Sequence, residues 1–315
     1  MKASPRHSSL SHSLMPNKIT IVEMGARDGL QNETLVSTDA KIELINQLSE
    51  TGLTHIESGS FVSPKWVPQM ADSDLVFKGI KQQPNIIYSA LTPNLQGFEK
   101  ALQSGVKQVA IFTSASESFS KKNINCSIAD SIKRFEPVLS AAHKQKIPVR
   151  GYLSCVIDCP YEGCTSAEQV AHLAQVLIDL GCYEVSLGDT IGTGTPIRVA
   201  HMLEAVQNKV STEQIAVHFH DTWGQALTNI HQALTMGISV VDSSVAGLGG
   251  CPYALGASGN VATEDVLYLC QGLGIETGVS LAEVAQSGWD ICRALNKQPS
   301  SKVSLALMNK ALIAK

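Results

Sequence analysis

The sequence predicts a (β/α)8 TIM barrel with additional C-terminal helices, on three observations. Eight short β-branched runs recur along the chain, and their starts lie about 31 residues apart on average, close to the roughly 30 residues of one βα unit. Longer stretches of helical periodicity fill the gaps without a low-complexity linker, as in a single parallel α/β domain. The runner-up, an open doubly wound sheet, calls for a glycine-rich phosphate turn after the first strand. The segment found there, GARDGLQNE, contains no GxGxxG.

The strand runs start near Ile19 (ITIVEM), Thr54 (THIES), Ile86 (IIYSAL), Gln108 (QVAIFT), Pro148 (PVRGYLSCV), Tyr183 (YEVSLGD), Ile215 (IAVHFHD) and Ser239 (SVVDSSV). Ser37-Thr38-Asp39 caps a helix whose apolar positions Ile42, Leu44, Ile45 and Leu48 fall at near-helical spacing. Gly52 stands where a terminating glycine belongs. Ser166 opens a second clear helix, closed by Gly181, and Thr195-Pro196 opens a third with proline in its first turn. Past residue 275 two helices are expected, at 280–296 and 301–313. The chain divides into a disordered extension (1–17), a barrel domain (18–275) and C-terminal helices packed on the barrel (276–315).

The 315 residues carry a net charge of −4, with 44% hydrophobic and 17% charged residues. There is no basic excess to neutralise a phosphate backbone, so nucleic acid is not an expected partner. Nor is a membrane, since no apolar run reaches the roughly 18 residues of a span. None of the eight cysteines forms a CxxC pair, and most read as small buried hydrophobes in a reducing compartment. Cys155, Cys159 and Cys164 lie closest together, but their spacing matches no regular zinc pattern. Residues 1–17 are Ser-rich, hold no acid and lack the apolar core of a secretory signal. The expected location is cytoplasmic, or the mitochondrial matrix if residues 1–17 are a presequence.

In such a barrel the chemistry gathers at the C-terminal ends of the strands. Arg27-Asp28 is expected at the end of strand one, Glu57 at the end of strand two and Asp189 at the end of strand six. His218 and His220 end strand seven, and the GLGGCP loop with Cys251 follows strand eight. Residues two apart on a strand share a face, so His218 and His220 offer half of a divalent-metal site. Asp28 on a neighbouring strand end adds a carboxylate. A hard N/O set with water suits Mg2+ or Mn2+, while two histidines also admit Zn2+ or Co2+. The alternative is a hydrogen-bonded pair of barrel histidines.

Arg27 reads as a surface ion pair or, in a barrel mouth, as an oxyanion clamp. Glu57 holds that guanidinium or is a simple salt-bridge partner. Asp189 holds a ligand or caps the next helix. Cys251 stands in a glycine-rich loop, which favours a reactive thiol over a core cysteine. Asn260 and Glu264 read as caps or ligands.

The segments ARDGLQNE (26–33), SFVSPKWVPQMAD (60–72), SLGDTIG (186–192), HFHDTWGQAL (218–227) and SVAGLGGCPYALGASGNVATED (244–265) resemble the 3-hydroxy-3-methylglutaryl-CoA lyase family. It is one of the metal-dependent barrel lyases, a group that includes isopropylmalate and homocitrate synthases. The resemblance runs from about Ile19 to Lys302. It implies Asp28, His218, His220 and Asn260 as metal ligands, with Mg2+ the expected ion and Mn2+ the alternative. It implies Arg27, Asp28, Glu57 and Cys251 as catalytic, and Arg27, Asp189 and Glu264 as substrate-binding. An acyl-CoA substrate, a homodimer and a role in leucine degradation are implied as well. The C-terminal ALMNKALIAK lacks the cysteine of the animal enzymes' tail, which puts thiol regulation between subunits in doubt. Two relatives in chemistry stand as alternatives: a lyase for another 3-hydroxyacyl-CoA, and a condensing synthase. A catalytically dead scaffold barrel would show broken metal positions, whereas each expected position is filled.

Overall fold

The computed structural model describes residues 15–251 and 254–313; side chains at 251, 254–258 and 311–313 lie outside that description. Eight strands close into a barrel: β1 (Thr20–Glu23), β2 (His55–Ser60), β3 (Ile87–Leu91), β4 (Gln108–Ser114), β5 (Val149–Ser154), β8 (Glu184–Asp189), β9 (Ile215–Phe219) and β10 (Val240–Ser243). All pair in parallel, and β1 closes the ring against β10 with Thr20 opposite Val240. Two small antiparallel hairpins decorate it, β6 (Asp158–Cys159) with β7 (Gly163–Cys164) and β11 (Gly250–Cys251) with β12 (Ala254–Ser258). Each of the eight sequence runs therefore supplies one barrel strand.

The helices are α1 (Thr38–Ser49), α2 (Ser73–Gly79), α3 (Leu95–Gln103), α4 (Glu117–Ile124), α5 (Ile128–Lys144), α6 (Ala167–Asp179), α7 (Pro196–Gln207), α8 (Ala226–Thr235) and α9 (Thr263–Leu273). Beyond the barrel follow α10 (Leu281–Ala294) and α11 (Lys302–Ile313). Ser37 caps α1 by accepting the Ala40 N–H at 3.2 Å, and Ser166 caps α6 by accepting that of Gln169 at 3.3 Å. Leu44, Ile45 and Leu48 bury the inner face of α1. Inside the barrel a small apolar group, Val22, Met24, Leu91, Ala110 and Tyr152, fills part of the interior, while the main core lies between strands and helices. The extra helices are seated by α1, where Gln47 donates to Asp290, and by α9, where Asp265 accepts from Ser301. At the N-terminal side the Asn17 carbonyl accepts the Glu276 N–H at 2.9 Å, so residues just before β1 already lie on the barrel.

Two expected strand ends differ. β1 stops at Glu23, and Arg27-Asp28 stand on a single π-helical turn, Gly25–Gly29, where the Gly29 N–H reaches the Met24 carbonyl. Close packing explains the turn. A Cβ at Gly25 would sit 2.7 Å from both Glu23 and Val245, and one at Gly29 would sit 2.8 Å from Leu248 and Ser244. β2 runs three residues past Glu57 to Ser60, with a register shift between Glu57 and Gly59. Glu57 is thus inside the barrel wall and not at its rim.

Gly52 has φ +93, and a Cβ there would meet the Gly278 carbonyl oxygen at 2.2 Å. Gly105 has a similar φ of +85 with open space around it. Gly105→Ala should therefore lose only the backbone term, about 1–2 kcal/mol, and Gly52→Ala clearly more. Urea denaturation checks the difference, and equal losses would show that the Gly278 contact yields freely.

Candidate active site

The site is built from the barrel's top outward. Arg27 is only 5% exposed. Its Nε donates to Glu57 and its Nη1 to Asp28 Oδ1 at 2.5 Å, and its guanidinium lies 5.5 Å from the Tyr152 ring centroid. Burial opposes its charge, but the two carboxylates outweigh that and hold it firmly protonated. Asp28 is the mirror case. Burial pushes its pKa up, but the charge of Arg27, then those of His218 and His220, pull it down to about 2.

Among the described residues, Asp28, His218 and His220 bring one ligand-type atom each to within 4.8 Å of one another. The two histidine Nε2 atoms stand 3.3 Å apart, and His218 Nε2 is 3.8 Å from Asp28 Oδ2. His220 lies just past the end of β9, in a bridge with Asn260. The Asn260 amide donates to Asp28 Oδ2 at 2.9 Å and to the Leu248 carbonyl at 3.2 Å. Burial, then the neighbouring His218, lowers the His220 pKa to about 4. An ionised carboxylate and a neutral imidazole are donor forms a divalent cation accepts without displacing a proton. The Nδ1 of His220 is buried without a hydrogen-bond partner.

The other expected residues lie around this centre. Glu57 accepts from Arg27 on one oxygen and from the Tyr152 hydroxyl, at 3.1 Å, on the other. Asp189 ends β8, and its Oδ2 accepts the Gly194 N–H at 2.8 Å while Oδ1 is buried without a partner. Burial raises its pKa to about 6. It ties the 189–194 loop, and its own carbonyl accepts the His220 N–H. Glu264 opens α9 and gives both oxygens to the Ala246 N–H, at 3.0 and 2.9 Å. Ala246 sits at φ 58, so a buried carboxylate braces a left-handed residue at the root of the β11–β12 hairpin. The backbone of Cys251 lies in that hairpin; its side chain is outside the described residues.

A sequence profile of the HMGL-like family matches residues 18–291. The chain belongs to the HMGL-like family. A mouse relative, named 3-hydroxy-3-methylglutaryl-CoA lyase, cytoplasmic, is 57% identical over 299 residues, 95% of this chain and 87% of the relative. The crystal structure of hydroxymethylglutaryl-CoA lyase from Pseudomonas aeruginosa superposes with a TM-score of 0.93 at 57% identity, covering 94% of this chain and 99% of that one. An HMG-CoA lyase from Acinetobacter baumannii, solved with coenzyme A and 3-methylmalate, gives a TM-score of 0.88 at 35% identity, covering 95% and 97%.

Beneath this HMGL-like mouth lie charged residues the sequence reading did not single out. Asp242 on β10 accepts from His218 Nδ1 at 3.2 Å, and Arg150 on β5 holds Asp242. Glu23 joins three segments: its Oε1 accepts the N–H groups of Gly25 and Val245, at 2.7 and 2.8 Å, and its Oε2 accepts the Thr263 hydroxyl at 2.6 Å. The available signal was charge inside strand runs: Glu23 in TIVE, Arg150 in VRGYLS and Asp242 in VVDS each interrupt an otherwise apolar stretch.

Burial raises Glu23 to about 7 and Glu264 to about 8, from 4.5. At these two groups the folded state keeps protons that the unfolded chain has already released, so their contribution to stability falls as pH rises between about 4.5 and 8. Glu264→Gln should flatten this slope, removing on the order of 2–4 kcal/mol of its drop, at 1.36 kcal/mol per unit. Urea midpoints at pH 5.5 and 8 check it, and an unchanged slope would exclude Glu264 as its source.

Proposed function

We propose that the chain is a hydroxymethylglutaryl-CoA lyase, cleaving 3-hydroxy-3-methylglutaryl-CoA to acetoacetate and acetyl-CoA. One observation carries the reading: an Asp28–His218–His220 donor cluster stands against a buried guanidinium, Arg27, in a chain of this family. The relatives named as lyases for this substrate, and the A. baumannii complex with coenzyme A, support the same acyl-CoA class.

The donors fit a divalent cation, with Mg2+ the preferred ion and Mn2+ the alternative. Asp28, His218 and His220 would hold it, with Asn260 contributing from beside Asp28. Such a cation, when bound, supplies the Lewis acidity that makes a tertiary hydroxyl acidic.

The rest is work for the chain's own groups. The ionised Asp28 carboxylate takes the proton of the C3 hydroxyl, the C2–C3 pair moves onto the thioester as an enolate, and C3 becomes the ketone of acetoacetate. Arg27 meets the charge that develops on the thioester oxygen. It is preorganised, because Glu57 and Asp28 fix the guanidinium from two sides. A preorganised donor of this kind contributes about 3–4 kcal/mol to the transition state. Cys251 delivers the proton that converts the enolate carbon to the methyl group of acetyl-CoA. Asp189 and Glu264 support the substrate through the loops they tie. The same reading takes the protein as a cytoplasmic homodimer.

Purified protein with Mg2+ or Mn2+ and a thiol reductant should release acetoacetate from hydroxymethylglutaryl-CoA, followed by a coupled dehydrogenase assay. Cys251→Ser should lower turnover at least about 100-fold with cation content unchanged. No acetoacetate from the loaded wild type would sink the lyase reading. Full turnover in Cys251→Ser would remove the thiol from the mechanism.

A further inference from the structure

Below the mouth, the barrel interior holds a second charged group that reaches the cation cluster through a single ring nitrogen. Arg150 grips Asp242 with both terminal nitrogens, Nη1 to Oδ2 at 3.0 Å and Nη2 to Oδ1 at 2.8 Å. Its Nε donates to Glu184 Oε1 at 2.6 Å, and the Ser186 hydroxyl donates to Asp242 Oδ2 at 2.7 Å. Arg150, Glu184, Ser186 and Asp242 are all buried. Asp242 Oδ2 also lies 3.2 Å from His218 Nδ1.

A carboxylate held by a bidentate guanidinium is an acceptor only. The proton between it and the imidazole therefore sits on His218 Nδ1. Nε2 is left with its lone pair, directed toward His220 Nε2 at 3.3 Å and Asp28 Oδ2 at 3.8 Å. An imidazole on a short strand end, without this contact, would be free to flip or to carry its proton on the wrong nitrogen.

We propose that Asp242 is the positioning residue of the cation site: it fixes the tautomer and the ring orientation of His218, while Arg150 and Ser186 fix Asp242. The proposal rests on the reading that Asp28, His218 and His220 hold a divalent cation. Asp242 does not belong to the donor cluster itself; it acts through His218. The same network reaches the other half of the site. Arg150 Nη1 donates to the Tyr152 hydroxyl at 3.3 Å, Tyr152 donates to Glu57 at 3.1 Å, and Glu57 holds Arg27. Cation ligand and guanidinium clamp are two ends of one path across the barrel floor.

The test is Mn2+ binding to the full chain, read from the electron paramagnetic resonance of free Mn2+, in wild type, His218→Ala and Asp242→Asn. The wild type should bind about one ion per chain, and His218→Ala should lose most of that binding. Asp242→Asn should keep the stoichiometry with Kd weakened about 10–100-fold, the usual cost of losing an outer partner of a ligating histidine. A wild-type Kd in Asp242→Asn, with binding lost in His218→Ala, overturns the positioning role and leaves the cation reading standing. No Mn2+ binding by the wild type overturns both. A second measurement needs no variant: 15N histidine spectra of the cation-free wild type at pH 8.5 should show His218 protonated at Nδ1 and bare at Nε2. A proton on Nε2 overturns the proposal even if Asp242→Asn fails to fold.

Discussion

Everything at the mouth depends on burying one guanidinium. Arg27 has almost no water to solvate its charge, so both of its carboxylates are required. Stripping one partner from such a buried pair leaves an uncompensated charge, a loss of about 3–5 kcal/mol. The constraint has chemical consequences. Glu57 must stand inside the barrel wall on β2, below the rim. Asp28 must stay ionised, which is the form a cation ligand needs. The turn carrying Arg27 and Asp28 must press close enough to the Val245–Leu248 segment that only glycine fits at positions 25 and 29.

Two buried carboxylates then hold that turn to the loop opposite. Glu23 links the Gly25 turn, Val245 and Thr263, and Glu264 closes on Ala246 from α9. Glu33 accepts the Gly249 N–H at 3.1 Å and pairs with Lys297 at 2.6 Å, so the hairpin root is fixed from the C-terminal region as well. The β11–β12 hairpin therefore springs from a base held by Glu23, Glu264 and Glu33.

The fold was legible in the sequence because period and spacing agree at every unit: all eight runs became barrel strands, and Ser37, Ser166 and Pro196 open their helices as expected. The Asp28–His218–His220 convergence was also legible, since alternation on a strand places i and i+2 together. Strand ends near the site were less so. The π-turn under Arg27 depends on tertiary packing against Val245, which no local pattern encodes. Glu23, Arg150 and Asp242 carry no local signal of their role for a related reason. A charge in a strand run looks like an interruption until its partner on a distant strand is known. Arg150 and Asp242 lie 92 residues apart in sequence and meet only because the barrel closes.

The most direct measurement is cleavage in D2O with mass analysis of both products at early times. If the C2–C3 bond breaks to an enolate that a protein thiol then protonates, the acetyl-CoA formed carries a single deuteron on its methyl group and the acetoacetate carries none. Deuterium appearing first in acetoacetate, or acetyl-CoA formed without it, would contradict enolate formation at Arg27.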